Sequence, residues 1–143
     1  MTVLLVEDNR ADVELARLIL GESGLAGNLT CLKNGEEALK YLAREFPYES
    51  AKTPDLVLID LNLPRLSGYA VLEEIKDLRT RGQHVTAVAI WSRASDQNSK
   101  RAAEVLGADA FFVKPYHGTH AYRELVAGIT DFWQFVSSRS REC

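Results

Sequence analysis

The sequence predicts an α/β fold, a parallel sheet wound on both faces by helices. Three observations carry that prediction. Short apolar, strand-like runs alternate with amphipathic, helix-like stretches along the chain. The run at 55–60, DLVLID, is apolar without alternation until its closing carboxylate, as strands buried on both faces are. Charged or hydroxyl side chains stand just past several of the runs, at the carboxyl edge where such sheets hold ligands.

Taken in order, Thr2 to Val6 is a short apolar strand that stops at Glu7 and Asp8. Residues 11–22 place Val13, Ala16, Ile19 and Leu20 on one helical face. Asn28 to Leu32 reads as a second strand, and Asn34-Gly35-Glu36-Glu37 opens a helix through about Arg44. Two prolines and several polar residues make 45–54 a loop. Asp55 to Asp60 is the third strand, and Gly68 to Arg79 a helix with Val71, Leu72, Ile75 and Leu78 on one face. Residues 84–91 form the fourth strand, Ser95 to Leu106 a helix capped by Gly107, Ala110 to Val113 the fifth strand, and Thr119 to about Ser138 the last helix. Five strand–helix units leave no segment over, and the crossovers should be right-handed.

The 143 residues suit one domain spanning 1–143, with 46% hydrophobic and 26% charged residues as in an ordinary globular chain. A net charge of -3 offers no large basic face to nucleic acid. No apolar run approaches the roughly 20 residues that span a bilayer. The opening MTVLLVEDN lacks a basic segment and does not read as a signal peptide, so no membrane association and a cytoplasmic location are expected. Cys31 and Cys143 lack metal or redox spacing; Cys31 is expected as a small buried hydrophobe and Cys143 as a free thiol. His84, His117 and His120 show no metal spacing and read as surface residues.

The strand-end residues form one constellation. Glu7 and Asp8 follow the first strand, Asp60 ends the third, Ser92 follows the fourth, and Lys114, then Pro115, follow the fifth. Three carboxylates at one edge repel one another unless a cation sits among them. Hard oxygen donors in an open site suit Mg²⁺ (or Mn²⁺), which keeps waters and takes few protein carboxylates. A phosphoryl oxygen would complete its coordination. Lys114 would neutralise a second oxygen as a point charge, and the Ser92 hydroxyl would donate to a third. The residues alone thus suggest a phosphoryl-binding site with a carboxylate nucleophile. Singly, each has a plainer reading: Asp60 as a helix cap, Glu7 and Asp8 as solvated charges, Ser92 as a turn residue, Lys114 as an exposed cation.

The segments LLVEDN (4–9), DLVLIDLNLPRLSGYAVL (55–72) and FFVKPY (111–116) resemble the receiver domains of two-component response regulators, and the likeness runs over essentially the whole chain. The resemblance implies a flavodoxin-like (βα)5 sheet of strand order 2-1-3-4-5. It implies a single-domain response regulator, a switch and not an enzyme, which accepts a phosphoryl group from a sensor histidine kinase in a Mg²⁺-dependent reaction and signals through protein contacts. By position, Asp60 corresponds to the phosphoacceptor, Asp8 to a direct metal ligand, Glu7 to a ligand acting largely through water, and Asn62 to the residue whose backbone carbonyl binds the metal. Ser92 corresponds to the switch hydroxyl, Phe111 to the aromatic switch, and Lys114 to the family's lysine, with a cis Lys114–Pro115 peptide.

The long loop at 45–54 and the apolar last helix from about 119, with its FWQFV segment, resemble the small receivers associated with bacterial phytochrome histidine kinases. That narrower resemblance implies a phytochrome partner and a homodimer through the C-terminal helix. Two residues depart from the common pattern. Arg93 follows Ser92 where a small residue is usual, and there it would shield or bind the phosphoryl group; Trp91 is bulkier than usual and either packs inward or faces the site. A haloacid-dehalogenase-type phosphatase would need an Asp where Asn62 stands. No GxGxxG or GxxxxGK[ST] follows a strand, against a nucleotide or flavin fold. A pseudo-receiver used as an unphosphorylated scaffold stays open because of Arg93.

Overall fold

The computed structural model describes residues 2–25, 27–82, 85, 87–94, 96–115 and 119–141. Ten elements alternate along the chain: β1 (Thr2–Val6), α1 (Arg10–Glu22), β2 (Asn28–Leu32), α2 (Gly35–Ala43), β3 (Leu56–Ile59), α3 (Gly68–Thr80), β4 (Ala87–Ser92), α4 (Gln97–Val105), β5 (Ala110–Val113) and α5 (Thr119–Arg141). The strands form one parallel sheet in the order β2-β1-β3-β4-β5, as the resemblance implied.

Alternation along each strand sends neighbouring side chains to opposite faces. Leu4, Val6, Val57, Ile59, Val88 and Ile90 meet Ala38, Leu42, Val71, Leu72, Ile75 and Ala103 of α2, α3 and α4. Val3, Leu5, Leu56, Leu58, Ala89 and Trp91 meet Ala16, Ile19 and Leu20 of α1 and Leu125 and Ile129 of α5. The inner strands β1, β3 and β4 are covered on both faces, which is why their sequences carry nearly unbroken apolar runs. The outer strands β2 and β5 are only partly buried.

Short polar side chains start the helices. Asn9, Asn34, Ser67 and Asp96 accept from the backbone N–H three residues on and cap α1, α2, α3 and α4. Capping by Asp96 starts α4 two residues later than expected. Gly107, at φ +98°, follows α4 in the left-handed region that favours glycine. The 45–54 loop is tied to α2: the Tyr48 hydroxyl donates to Glu37 at 2.6 Å, and the Tyr48 and Tyr41 rings lie 5.4 Å apart. Among the described residues the cis peptide bond is Phe46–Pro47, and the expected cis Lys114–Pro115 is not found.

Cys31 is half-buried rather than fully buried, because β2 is an edge strand; its sulfur lies 3.6 Å from an Arg17 nitrogen. Cys143, His84 and His117, and the side chain of His120, lie outside the described residues. Among those residues, no helix is long and apolar enough to cross a membrane.

Candidate functional site

Ladder bonds run past the strand ends and set the site's register. The Glu7 N–H donates to Leu32 O at 2.9 Å, the Asp60 N–H to Val6 O at 3.0 Å, and the Lys114 N–H to Ser92 O at 2.8 Å. Glu7, Asp60, Ser92 and Lys114 are therefore held at one carboxyl edge by the same hydrogen bonding that builds the sheet. Asp60 then turns its loop: its Oδ1 accepts from Asn62 N–H at 3.2 Å. Gly68 closes that loop from behind. A Cβ there would lie 2.4 Å from the Asp60 carbonyl oxygen and 2.7 Å from Leu61 Cα, both rigid backbone atoms.

Lys114 is the hub. Its Nζ lies 2.5 Å from Glu7 Oε1, 2.9 Å from Asp12 Oδ2 and 3.3 Å from Asp60 Oδ2, and all four residues are buried. Glu7, Asp8 and Asp60 each bring a carboxylate oxygen to within 4.8 Å of the others, close enough to share one cation; Asp8 is the exposed member. The donor set is carboxylate oxygen throughout, as a hard divalent ion requires. Asn62 stands beside them with its side chain exposed and its N–H on Asp60.

Burial pushes the Glu7 carboxyl up to about 7; the bond from Lys114 opposes that rise and repulsion from Asp60 adds to it. Burial works against the Lys114 charge, but bonds to Glu7 and Asp12 and the attraction of Asp60 outweigh it, and its pKa rises. The lysine stays an ammonium and Glu7 is poised to take or release a proton near neutrality.

Ser92 is fully buried, and its hydroxyl accepts the Ala94 N–H at 3.2 Å. Phe111 is half-buried against the α2–α4 side of the core, with Lys100 Nζ 6.0 Å from its ring centroid. Trp91, open in either direction from sequence, does both: it is fully buried in the α1–α5 cluster, and its indole N–H donates to Glu7 Oε1 at 3.1 Å. Its ring centroid lies 5.7 Å from Lys114 Nζ.

Asp12 was absent from the sequence reading. Its carboxylate is buried in the site, on Lys114 and on an Arg93 guanidinium nitrogen at 2.6 Å. A signal existed: Asp12 stands one helical turn before Ala16, on the face of α1 that Ala16, Ile19 and Leu20 bury. Arg93 reaches across to α1.

A sequence profile described as the response regulator receiver domain matches residues 3–126. Response regulator Rcp1 of Synechocystis sp. is 31% identical over 134 residues, which is 92% of this chain and 87% of that protein. Among solved structures, the phosphorylated cyanobacterial phytochrome response regulator RcpA superposes with a TM-score of 0.80 at 32% identity, covering 93% of each chain. The Mn²⁺-bound form of Rcp1 superposes with a TM-score of 0.78 at 31% identity, covering 92% of this chain and 93% of that one.

Proposed function

Since the chain belongs to the response regulator receiver domain family, we propose that it is a phosphorylation switch whose acceptor is Asp60. The observation that carries the reading is the company Asp60 keeps: Lys114 Nζ lies 3.3 Å from its Oδ2, and Glu7 and Asp8 bring carboxylate oxygens within 4.8 Å of it, close enough to share one cation. A phosphohistidine on a sensor histidine kinase is the donor. An Asp60 carboxylate oxygen attacks phosphorus in line, the O–P bond forms as the P–N bond breaks, and the ring nitrogen that keeps the electron pair takes a proton from water to leave as neutral imidazole. Lys114 stabilises the charge gathering on one equatorial oxygen.

Glu7, Asp8, Asp60 and the Asn62 carbonyl are the groups that would hold Mg²⁺ or Mn²⁺. When bound, the ion supplies positive charge to the phosphoryl oxygens. After transfer, the Ser92 hydroxyl donates to the phosphoryl group and Phe111 turns inward. The face made by α4, β5 and α5 then shifts between two packings. The protein modifies itself and loses the group slowly to water, so it acts as a switch and not as an enzyme.

The reading treats 1–143 as one receiver domain in the cytoplasm, answering to a histidine kinase. The similarity to RcpA, a cyanobacterial phytochrome response regulator, favours a phytochrome as that kinase. Phe132, Trp133 and Val136 are only partly buried on α5 and Phe135 beside them is 59% exposed, an apolar strip that favours a homodimer through the last helix. Acetyl phosphate and Mg²⁺ test the acceptor: intact mass should rise by one phosphate in the wild-type protein and not in Asp60→Asn. Equal labelling of the two would overturn the assignment.

A further inference from the structure

The phosphotransfer chemistry proposed above uses neither Asp12 nor Arg93, yet both are built into the site. Asp12 is 3% exposed, and its two carboxylate oxygens face two different cations. Oδ2 accepts from Lys114 Nζ at 2.9 Å, and Oδ1 accepts from the Arg93 guanidinium at 2.6 Å. Arg93 arrives from the residue after Ser92, and its side chain is about half exposed. The result is a chain of alternating charge, Asp60–Lys114–Asp12–Arg93, running from the buried acceptor to the rim.

An ammonium has three N–H donors and no more. Lys114 already faces three carboxylates, on Glu7, Asp12 and Asp60. To serve a phosphoryl oxygen on Asp60, Lys114 must give up one of these partners. Giving up Asp12 strands a buried carboxylate unless a second cation stays on it, and a stranded buried charge is costly. Arg93 is that second cation. We propose that Arg93 and Asp12 are positioning residues for Lys114: by holding the Asp12 charge, Arg93 leaves the lysine available to the phosphoryl group on Asp60. The idea rests on Asp60 being the acceptor. Without Arg93, Asp12 keeps Lys114 and also repels the incoming phosphoryl dianion. Without Asp12, there is nothing for Arg93 to offset.

The test is a double-mutant cycle at positions 12 and 93 with acetyl phosphate as the donor, so that no kinase contact enters. Initial rates of Asp60 labelling are read at saturating Mg²⁺, with beryllofluoride affinity as a second readout that involves no turnover. Arg93→Ala should slow labelling and weaken beryllofluoride binding, each about fivefold, the scale of a coupled, partly buried pair. Arg93→Lys should recover most of that loss. Adding Arg93→Ala to Asp12→Asn should change neither readout. Labelling of Arg93→Ala at the wild-type rate would overturn the proposal, as would the same fivefold loss in the Asp12→Asn background. Should Asp12→Asn not fold, the comparison of Arg93→Ala with Arg93→Lys still decides, because equal losses in both contradict a role for the charge. Failure of the wild-type protein to label at all would remove the Asp60 assignment itself, and this inference with it.

Discussion

Lowering the pH from 8 to 6 should weaken Mg²⁺ binding about tenfold, and Glu7 sets that figure. Glu7 is 1% exposed and burial holds its pKa at about 7, against an ordinary 4.5. With that value, about nine in ten Glu7 groups are ionised at pH 8 and about one in ten at pH 6, so a cation that needs the carboxylate loses about tenfold in apparent affinity. Calorimetric titration of Mg²⁺ in two buffers of different protonation enthalpy measures both the affinity and the protons released. Close to one proton should leave per ion at pH 6 and close to none at pH 8. Glu7→Gln should bind more weakly and lose the pH dependence. The sign for folding runs the other way in the metal-free protein. Between pH 4.5 and 7 the folded state holds the Glu7 proton and the unfolded chain does not, so this group's contribution to stability grows as pH falls across that window. A Mg²⁺ affinity that is flat from pH 6 to 8, with no proton released, would refute the reasoning.

Two further substitutions probe the scaffold around the site. Gly68→Ala puts a methyl group 2.4 Å from the Asp60 carbonyl oxygen, so the loop after Asp60 must move; a loss of about 2–3 kcal/mol and a fall in Tm of roughly 6–10 °C are expected by thermal denaturation, and an unchanged Tm would contradict the contact. Trp91→Phe removes the indole N–H from Glu7 and leaves a gap in the core, a loss of about 2 kcal/mol; Mg²⁺ should change tryptophan emission in the wild-type protein but not in this variant, where Trp133 remains, and an identical response in both would show that Trp91 does not sense the site.

The fold was legible because its inner strands had to be. β1, β3 and β4 are buried on both faces, so burial demands nearly continuous apolar runs, and their shortness and closing charged or hydroxyl residues mark them as strands. Boundaries were less legible where a cap decided them, as Asp96 does by starting α4 at Gln97. Strand order is not written in periodicity at all; it came from the resemblance carried by the segments at 4–9, 55–72 and 111–116. The site divides in the same way. Glu7, Asp60, Ser92 and Lys114 stand at strand ends, so placing the strands placed them at one edge. Asp12 and Trp91 do not announce themselves like that. Asp12 in a first helical turn reads as a charge favoured by the helix dipole, and its role appears only once Lys114, 102 residues away, is brought beside it. Trp91 reads as core, which it is, and only folding shows its one polar atom against Glu7. A strand-end position says where a residue will sit, but the partner that gives a buried charge its function is a contact across the sheet. Such contacts follow from topology, which is why Asp60 and Lys114 were placed at one edge from the chain and the Asp12–Arg93 pair beside them was not.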